Sequence, residues 1–105
     1  MEWRNEEDRQ TVIRLAKKSA ITARRMDRIA AASNFLDLQH PSVGRAHLLK
    51  GEYAGYFALD LESKTRPARL ICKPTGKVEK KGDQYIKESI IEFEVLKIEK
   101  DYHKK

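Results

Sequence analysis

The most strand-like segment of this chain is HLLKGEYAGYFALDLESKTRPARLICKP, residues 47–74. Two of its segments, 56–61 and 68–73, alternate their side chains with a period of two. Such alternation is typical of strands with one covered and one uncovered face. A shorter strand is predicted at 45–50, and a turn at 51–55, where glycines interrupt the pattern. The stretch therefore predicts three consecutive strands.

Two helices are predicted before these strands, at residues 5–19 and 20–34. Asn5 is the candidate N-cap of the first helix, because acids follow it at 6–8 and lysines stand near its far end, as the helix dipole favours. In the second helix, small and apolar residues share one face. The other face is cationic and carries Arg24, Arg25 and Arg28. No glycine or proline marks the join, so a helical hairpin and one interrupted long helix both remain open.

The remaining segments complete an α+β pattern. Residues 34–44 predict a loop, and residues 75–88 a solvated loop or a loose hairpin. Residues 89–99 predict the last strand, in which the apolar phase changes at Leu96, as it does at a β-bulge or in a strand buried on both faces. Apolar side chains expected beneath the first loop are Phe35, Leu36 and Leu38. The order predicts a single domain, residues 1–105, with helices first and a mostly antiparallel sheet packed on them.

The composition favours a polyanionic partner. Lysine and arginine number 22 against 16 acids, a formal charge of +6, which suits RNA, DNA, an acidic protein or an anionic membrane surface. Simple solubilisation of a small domain is the alternative. A lone cysteine, Cys72, excludes an internal disulfide, and neither a metal-binding nor a cofactor-binding motif is present. The absence of a long apolar run or a signal-like start predicts a cytoplasmic protein without a membrane span.

The cations of the opening stretch are the first candidate site. They are Lys50, Arg66, Arg69 and Lys73. Arg69 alternates with Leu70 and Cys72, so we expect it on the uncovered face of the sheet, with Lys73 beside it. A guanidinium there could bind a phosphate in bidentate fashion. Solvated sheet faces also carry arginine and lysine without any function, and that alternative stays open.

The second candidate is the pair Tyr102 and His103 that follows the last strand. A histidine can move a proton near neutral pH, as general acid–base catalysis requires. Together with Arg69, the pair would supply the parts for metal-free RNA cleavage by the 2′-hydroxyl group. This hypothesis requires that Arg69 lie close to His103 and that no structural ion pair engage the guanidinium. The alternative is a terminal segment without a role.

The order of these residues resembles a known family. The runs FLDLQHPSVGRAHLLKGEYAGYFALDL (35–61), RPARLICKP (66–74) and EVLKIEKDYH (94–103) resemble the toxins of the RelE/ParE superfamily, in particular the host-inhibition-of-growth branch, HigB. The likeness extends over about residues 20–74 and 90–103. The likeness rests on several motifs that follow one another in the same order as in the family, not on any single motif.

The resemblance implies a fold and an activity. The fold would be two helices against a small twisted, mostly antiparallel sheet, and the activity a ribosome-dependent endoribonuclease acting on mRNA. The inhibitor would be HigA, a helix-turn-helix antitoxin. Lys50 matches a lysine that would contact RNA phosphates. Arg66 and Lys73, which are cations of the opening stretch and not matches to the family, are predicted as further RNA-binding residues. Catalysis would fall to Arg69, Tyr102 and His103, with neither metal nor cofactor.

The chain also departs from the family pattern. Family members usually begin with a strand, whereas MEWRNEED carries no strand signal, so the first strand is expected to be absent. Ala68 and Lys73 replace a usual aromatic residue and a usual acid. Two non-nucleolytic alternatives therefore remain, a gyrase-inhibiting toxin and an inactive relative that only binds an antitoxin. The cationic helix face could contact ribosomal RNA or an acidic antitoxin segment.

Overall fold

The computed structural model of the chain describes residues 1–61 and 68–100, with only the backbone of Lys100. The helices are α1 (Glu6–Lys18), α2 (Ala20–Ala31) and α3 (Phe35–Leu38). The strands are β1 (Glu2–Trp3), β2 (His47–Leu48), β3 (Phe57–Asp60), β4 (Ala68–Thr75), β5 (Lys80–Lys81), β6 (Gln84–Tyr85) and β7 (Glu92–Lys100). Short 3-10 helices lie at Gly51–Tyr53 and Lys87–Ser89. The predicted α+β class is confirmed.

Side-chain caps define the two long helices. The Asn5 side chain accepts hydrogen bonds from the backbone N–H groups of Glu7 and Asp8, which confirms the predicted N-cap of α1. Ser19 has an extended backbone, and its hydroxyl accepts from the N–H of Thr22 at 3.2 Å. Ser19 therefore ends α1 and caps α2. The question left open by the sequence resolves in favour of two separate helices, divided without glycine or proline.

In the part of the chain that the structure describes, the main sheet has five strands in the order β1-β7-β4-β3-β2. Its pairings are antiparallel except for that of β1 with β7, where Trp3 lies opposite Val95 in parallel register. The expectation that the first strand is absent is wrong. A strand of two residues cannot display an alternating pattern, and Glu2 and Trp3 become extended only because β7 offers a pairing edge.

The predicted phase change in the last strand is a bulge in the β4–β7 pairing. Ile71 lies opposite Lys97, but the next residue, Cys72, lies opposite Val95. Leu96 is therefore the extra residue on β7. Because the side-chain period of a strand is two, this insertion returns Ile98 to the face that Val95 occupies.

The helices cover one face of the sheet, and the core lies between them. Its aromatic centre is Phe57, which makes edge-to-face contacts with Phe35 at 5.1 Å and with Phe93 at 5.4 Å between ring centroids. Buried aliphatic side chains around it include Val12, Ile29, Leu38, Leu59, Leu70 and Val95. Within the described residues, no helix combines the length and the hydropathy needed to cross a bilayer.

Several boundaries differ from the sequence prediction. The strand expected at 45–50 contains only the two residues His47–Leu48. The loop expected at 34–44 includes α3, and its Leu36 is 43% exposed, not buried. Pro74 does not end β4, because β3 pairs only with residues 69–72 and leaves no partner strand on that side of the proline. Ile91, which falls within the predicted last strand at 89–99, precedes β7 and is 65% exposed.

Candidate functional site

The face of the sheet opposite the helices carries the candidate chemistry, and we call it the open face. Strand pairing sets one row of residues across it, His47, Ala58, Ile71 and Lys97. The neighbouring row is Asp60, Arg69 and Glu99. Lys73 points to the same side as Arg69, because both are odd-numbered positions of β4. The predicted alternation of β4 is thus present, with Leu70 and Cys72 fully buried on the helix side.

Arg69 is engaged in an ion pair. Its Nε donates to Oε1 of Glu99 at 2.8 Å, and the two side chains are 20% and 25% exposed. The residues stand directly opposite one another on β4 and β7, where opposite charges stabilise a sheet. The nuclease hypothesis required an arginine that no ion pair engages, and on this point the structure departs from it.

Glu99 connects Arg69 directly to Lys97, and Lys97 in turn connects the pair to Tyr53. The Oε2 of Glu99 lies 3.4 Å from the Nζ of Lys97, and Lys97 donates a hydrogen bond to the hydroxyl of Tyr53. The Nζ of Lys97 also lies 5.0 Å from the centroid of the Tyr53 ring. We call Arg69, Glu99, Lys97 and Tyr53 the Glu99 cluster.

The Glu99 cluster keeps its charges at neutral pH. Burial alone would raise the pKa of the Glu99 carboxyl, but the hydrogen bonds and charges of Arg69 and Lys97 outweigh it and place that pKa below its ordinary value. The hydrogen bond with Tyr53, followed by the nearby Glu99, raises the pKa of Lys97. Two cations and one carboxylate leave the cluster with one net positive charge.

The contact between Tyr53 and Lys97 spans the open face. Tyr53 follows the edge strand β2, whereas Lys97 lies on β7, so their contact reaches across β3 and β4. Ala58 and Ile71 occupy the same row between the two outer strands and are fully buried, although they do not belong to the main core. The cluster therefore lies beside buried apolar side chains.

His47 is an exposed histidine on the same face. Its Nδ1 lies 3.1 Å from the backbone carbonyl of Arg45. A carbonyl oxygen can only accept, so Nδ1 carries the proton and Nε2 is the acceptor nitrogen of the neutral ring. The sequence indicated only a strand residue here. Its position in the row of Lys97 follows from strand pairing, which no local signal reveals.

Two of the predicted RNA-binding residues lie within the described chain. Lys50 is exposed and lies between β2 and the 3-10 helix Gly51–Tyr53, directly before the helix. Lys73 is exposed on the open face, four residues from Arg69 and thus ~13 Å along the strand. Arg66, Tyr102 and His103 lie outside the described residues. The structure therefore joins Arg69 to Glu99, Lys97 and Tyr53, three residues that the sequence analysis did not single out.

The cationic helix face has a structural role in part. Arg25 donates to the backbone carbonyls of Asp60 at 3.0 Å and Pro41 at 3.4 Å. Arg28 donates to the carbonyl of Ser42 at 2.9 Å. These bonds attach α2 to the end of β3 and to the loop before β2. Arg24 is exposed and makes no such bond within the described residues.

The burial of Cys72 and the spacing of possible metal ligands bear on whether thiol or metal chemistry is open to the described residues. Cys72 is fully buried, and burial raises the pKa of its thiol, so the group stays protonated. Within residues 1–61 and 68–100, no three histidine, cysteine or acidic side chains are grouped so that they could hold a metal ion.

Comparison of the chain with protein-family models, with curated proteins and with solved structures gives no match. The resemblance to the RelE/ParE toxins therefore depends on the sequence motifs alone. What the fold and the site establish is a small α+β protein with a mixed, mostly antiparallel sheet and a charged cluster on the sheet face opposite its helices.

Proposed function

We propose that this chain is the toxin of a type II toxin–antitoxin system, a metal-independent endoribonuclease that cleaves mRNA on the ribosome. The motif resemblance carries the proposal. The Glu99 cluster supports it by gathering a guanidinium, an ammonium and a phenol on one sheet face, although Glu99 engages the guanidinium. The short strand β1 supports it as well, because its expected absence was one of the departures from the family pattern.

The chemistry needs a base, cations and an acid, and it needs no metal. A base takes the proton of the 2′-hydroxyl, whose oxygen attacks the adjacent phosphorus. Cations offset the charge that gathers on the phosphoryl oxygens, and an acid protonates the departing 5′-oxygen. The products are a 2′,3′-cyclic phosphate and a free 5′-hydroxyl. Each acid or base contributes ~10²–10⁴-fold, and charge stabilisation adds about 10²–10³-fold.

Arg69 and Lys97 are the cations that we assign to the scissile phosphate. For them to act, the RNA phosphate must take the place of the Glu99 carboxylate beside Arg69. Lys50, Arg66 and Lys73 would hold the flanking phosphates. Each of these phosphate contacts adds about one to the magnitude of the slope in a plot of the logarithm of the RNA association constant against the logarithm of the salt concentration.

The proton-transfer groups come from two sources. The resemblance assigns them to Tyr102 and His103, with His103 as acid or base. The geometry adds His47, whose Nε2 can accept a proton on the open face. Tyr53 is a further acid candidate, because the oxygen of its hydroxyl already accepts a hydrogen bond from Lys97 and its own proton remains to be donated.

The direct test is translation-coupled cleavage of a reporter mRNA in a purified translation system. We expect cleavage by the wild type and a loss of about 10²-fold or more for Arg69→Ala and for His103→Ala. Arg14→Ala removes an exposed arginine of α1, outside both the sheet and the cationic helix face, and serves as the charge-matched control. Equal cleavage by the wild type and the Arg69 and His103 variants would remove the site assignment.

The ion pair of Arg69 favours a second candidate function. Because Glu99 already engages the guanidinium, the chain could be a non-nucleolytic relative, either a gyrase-inhibiting toxin or an antitoxin-binding protein without catalysis. DNA breaks that accumulate without mRNA cleavage would decide for gyrase. Unaffected growth, together with copurification of a HigA-like helix-turn-helix protein, would decide for antitoxin binding alone. In every case we place the protein in the cytoplasm.

A further inference from the structure

The outer edge of β2 has an open stretch of backbone. Among the described strands β2 is the last of the sheet, and the N–H of Leu49 donates to the carbonyl of Tyr56 across the strand pair at 3.0 Å. Backbone groups of alternate residues point to opposite edges, so those of Leu48 point away from β3. The N–H of Ala46 points the same way and bonds to Leu38 on α3 at 2.8 Å. For Leu48, no such partner is found in the described part of the chain.

A groove of about 600 Å³ runs beside this open backbone. One wall is formed by Leu48 and Leu49 together with Ala54 from the turn, and Leu48 is 38% exposed. The other wall is the β5–β6 hairpin with the residue pair Lys80 and Tyr85, continued by Lys87. The volume lies in the range of natural ligand sites.

The hairpin wall is held in place by specific contacts. The hydroxyl of Tyr85 donates to the carbonyl of Gly55 at 3.0 Å, which ties the hairpin to the turn after β2. The Nζ of Lys80 lies 5.1 Å from the centroid of the Tyr85 ring. The hairpin end also contributes Asp83, so the charged side chains that line the groove are two cations and one acid.

We infer that this groove binds an extended, acidic peptide segment of a partner protein, which adds to β2 as a further strand. The N–H and C=O of Leu48 pair with the peptide backbone, apolar side chains of the peptide lie against the leucines, and its carboxylates meet Lys80 and Lys87. None of these residues belongs to the Glu99 cluster, so the site is separate from the proposed nuclease face.

The observations favour a peptide over a nucleic acid. A strand edge with open N–H and C=O groups is matched by another backbone, and a leucine wall has no counterpart in a sugar–phosphate chain. A base would need an open aromatic face for stacking. The Tyr85 ring already carries Lys80 on one face.

The first test uses a fluorescein-labelled eight-residue peptide in which glutamate alternates with valine, measured by fluorescence anisotropy. A peptide with lysine in place of glutamate should bind at least about tenfold more weakly. Two further peptides carry backbone N-methyl groups, one on all the glutamates and the other on all the valines. Only one of these two sets of N–H groups can face β2, so one methylated peptide should lose binding and the other should bind within about twofold of the unmethylated peptide. Equal binding of all four peptides would overturn the inference.

The second test changes the protein. Lys80→Glu/Lys87→Glu should weaken binding of the acidic peptide about tenfold or more, whereas Lys77→Glu/Lys81→Glu, on the same segment but outside the groove, should change it less than about threefold. Saturation with the peptide should slow the hydrogen exchange of the Leu48 amide, followed by NMR on the wild type. Unchanged exchange at Leu48 would refute strand addition. Displacement of the peptide by a single-stranded RNA, with the same dependence on Lys80 and Lys87, would reassign the groove to nucleic acid.

Discussion

Replacement of Glu99 by glutamine should make this protein bind RNA more tightly. The carboxylate holds Arg69 through one oxygen and lies beside Lys97 through the other. Glutamine keeps the size of the side chain and one hydrogen-bond acceptor, but it removes the charge that competes with a phosphate. The cluster then carries two positive charges in place of one.

The magnitude follows from the position of the cluster. A phosphate that takes the place of the carboxylate beside Arg69 would lie ~5 Å from Glu99. With an effective dielectric between the values for a protein surface and for water, the repulsion removed is ~1–2 kcal/mol, since both side chains are about a quarter exposed and salt screens the pair. RNA affinity should therefore rise about 5–30-fold. The lost cross-strand pair lowers the free energy of unfolding by ~0.2–1 kcal/mol, too little to unfold the chain.

The assay is fluorescence anisotropy with a single-stranded RNA carrying 2′-O-methyl groups, which bind but cannot be cleaved. Glu6→Gln is the matched control, because Glu6 also pairs with an arginine, Arg9 at 2.9 Å, but lies on α1 outside the cluster. Both variants raise the net charge of the protein equally. If Glu99→Gln binds no more tightly than Glu6→Gln, the gain is a global charge effect and the cluster is not a phosphate site.

Three further predictions concern stability. The pKa of Glu99 is lowered on folding, so the stabilisation that this carboxylate provides is complete above about pH 4.5 and is lost at lower pH. In urea titrations at acid pH, the difference in unfolding free energy between the wild type and Glu99→Gln should therefore vanish. The pKa of Lys97 is raised, so stability relative to Lys97→Met should be greatest below about pH 10 and fall above it, as measured by the same titrations in alkali. Phe57→Ala should lower the free energy of unfolding by ~3–5 kcal/mol, and Leu36→Ala, at an exposed site, by less than ~1 kcal/mol, in chemical denaturation.

The local elements of the fold could be predicted because their causes lie within a few residues. Asn5 caps α1 through N–H groups two and three positions away, and the strands β3 and β4 follow from simple alternation. The irregularity at Leu96 could also be predicted, since the apolar phase changes within one strand only at a bulge or where both faces are buried. The boundaries were less accurate at β2, because its length depends on where β3 offers a partner.

The candidate site could be predicted only for the residues whose face follows from their own strand. Arg69 was expected on the side of β4 opposite Leu70 and Cys72, and it lies there, although Ile71 on the same side is fully buried. Its partner Glu99 was not foreseen, because the pair joins residues 30 positions apart through a register that a bulge shifts. Tyr53 and Lys97 are 44 positions apart and meet across two strands.

The α+β class, the two capped helices, the alternating strands and the excess of positive charge can all be predicted from the amino-acid sequence, because caps and periodicity depend on neighbouring residues and charge depends on composition alone. Three features follow instead from tertiary contacts: Trp3 joins the sheet, Glu99 forms an ion pair with Arg69, and Leu48 leaves a backbone edge beside a cationic groove. Each of these depends on which strands become neighbours and in what register. That choice is made by burial of the shared core around Phe57, a property of the whole chain.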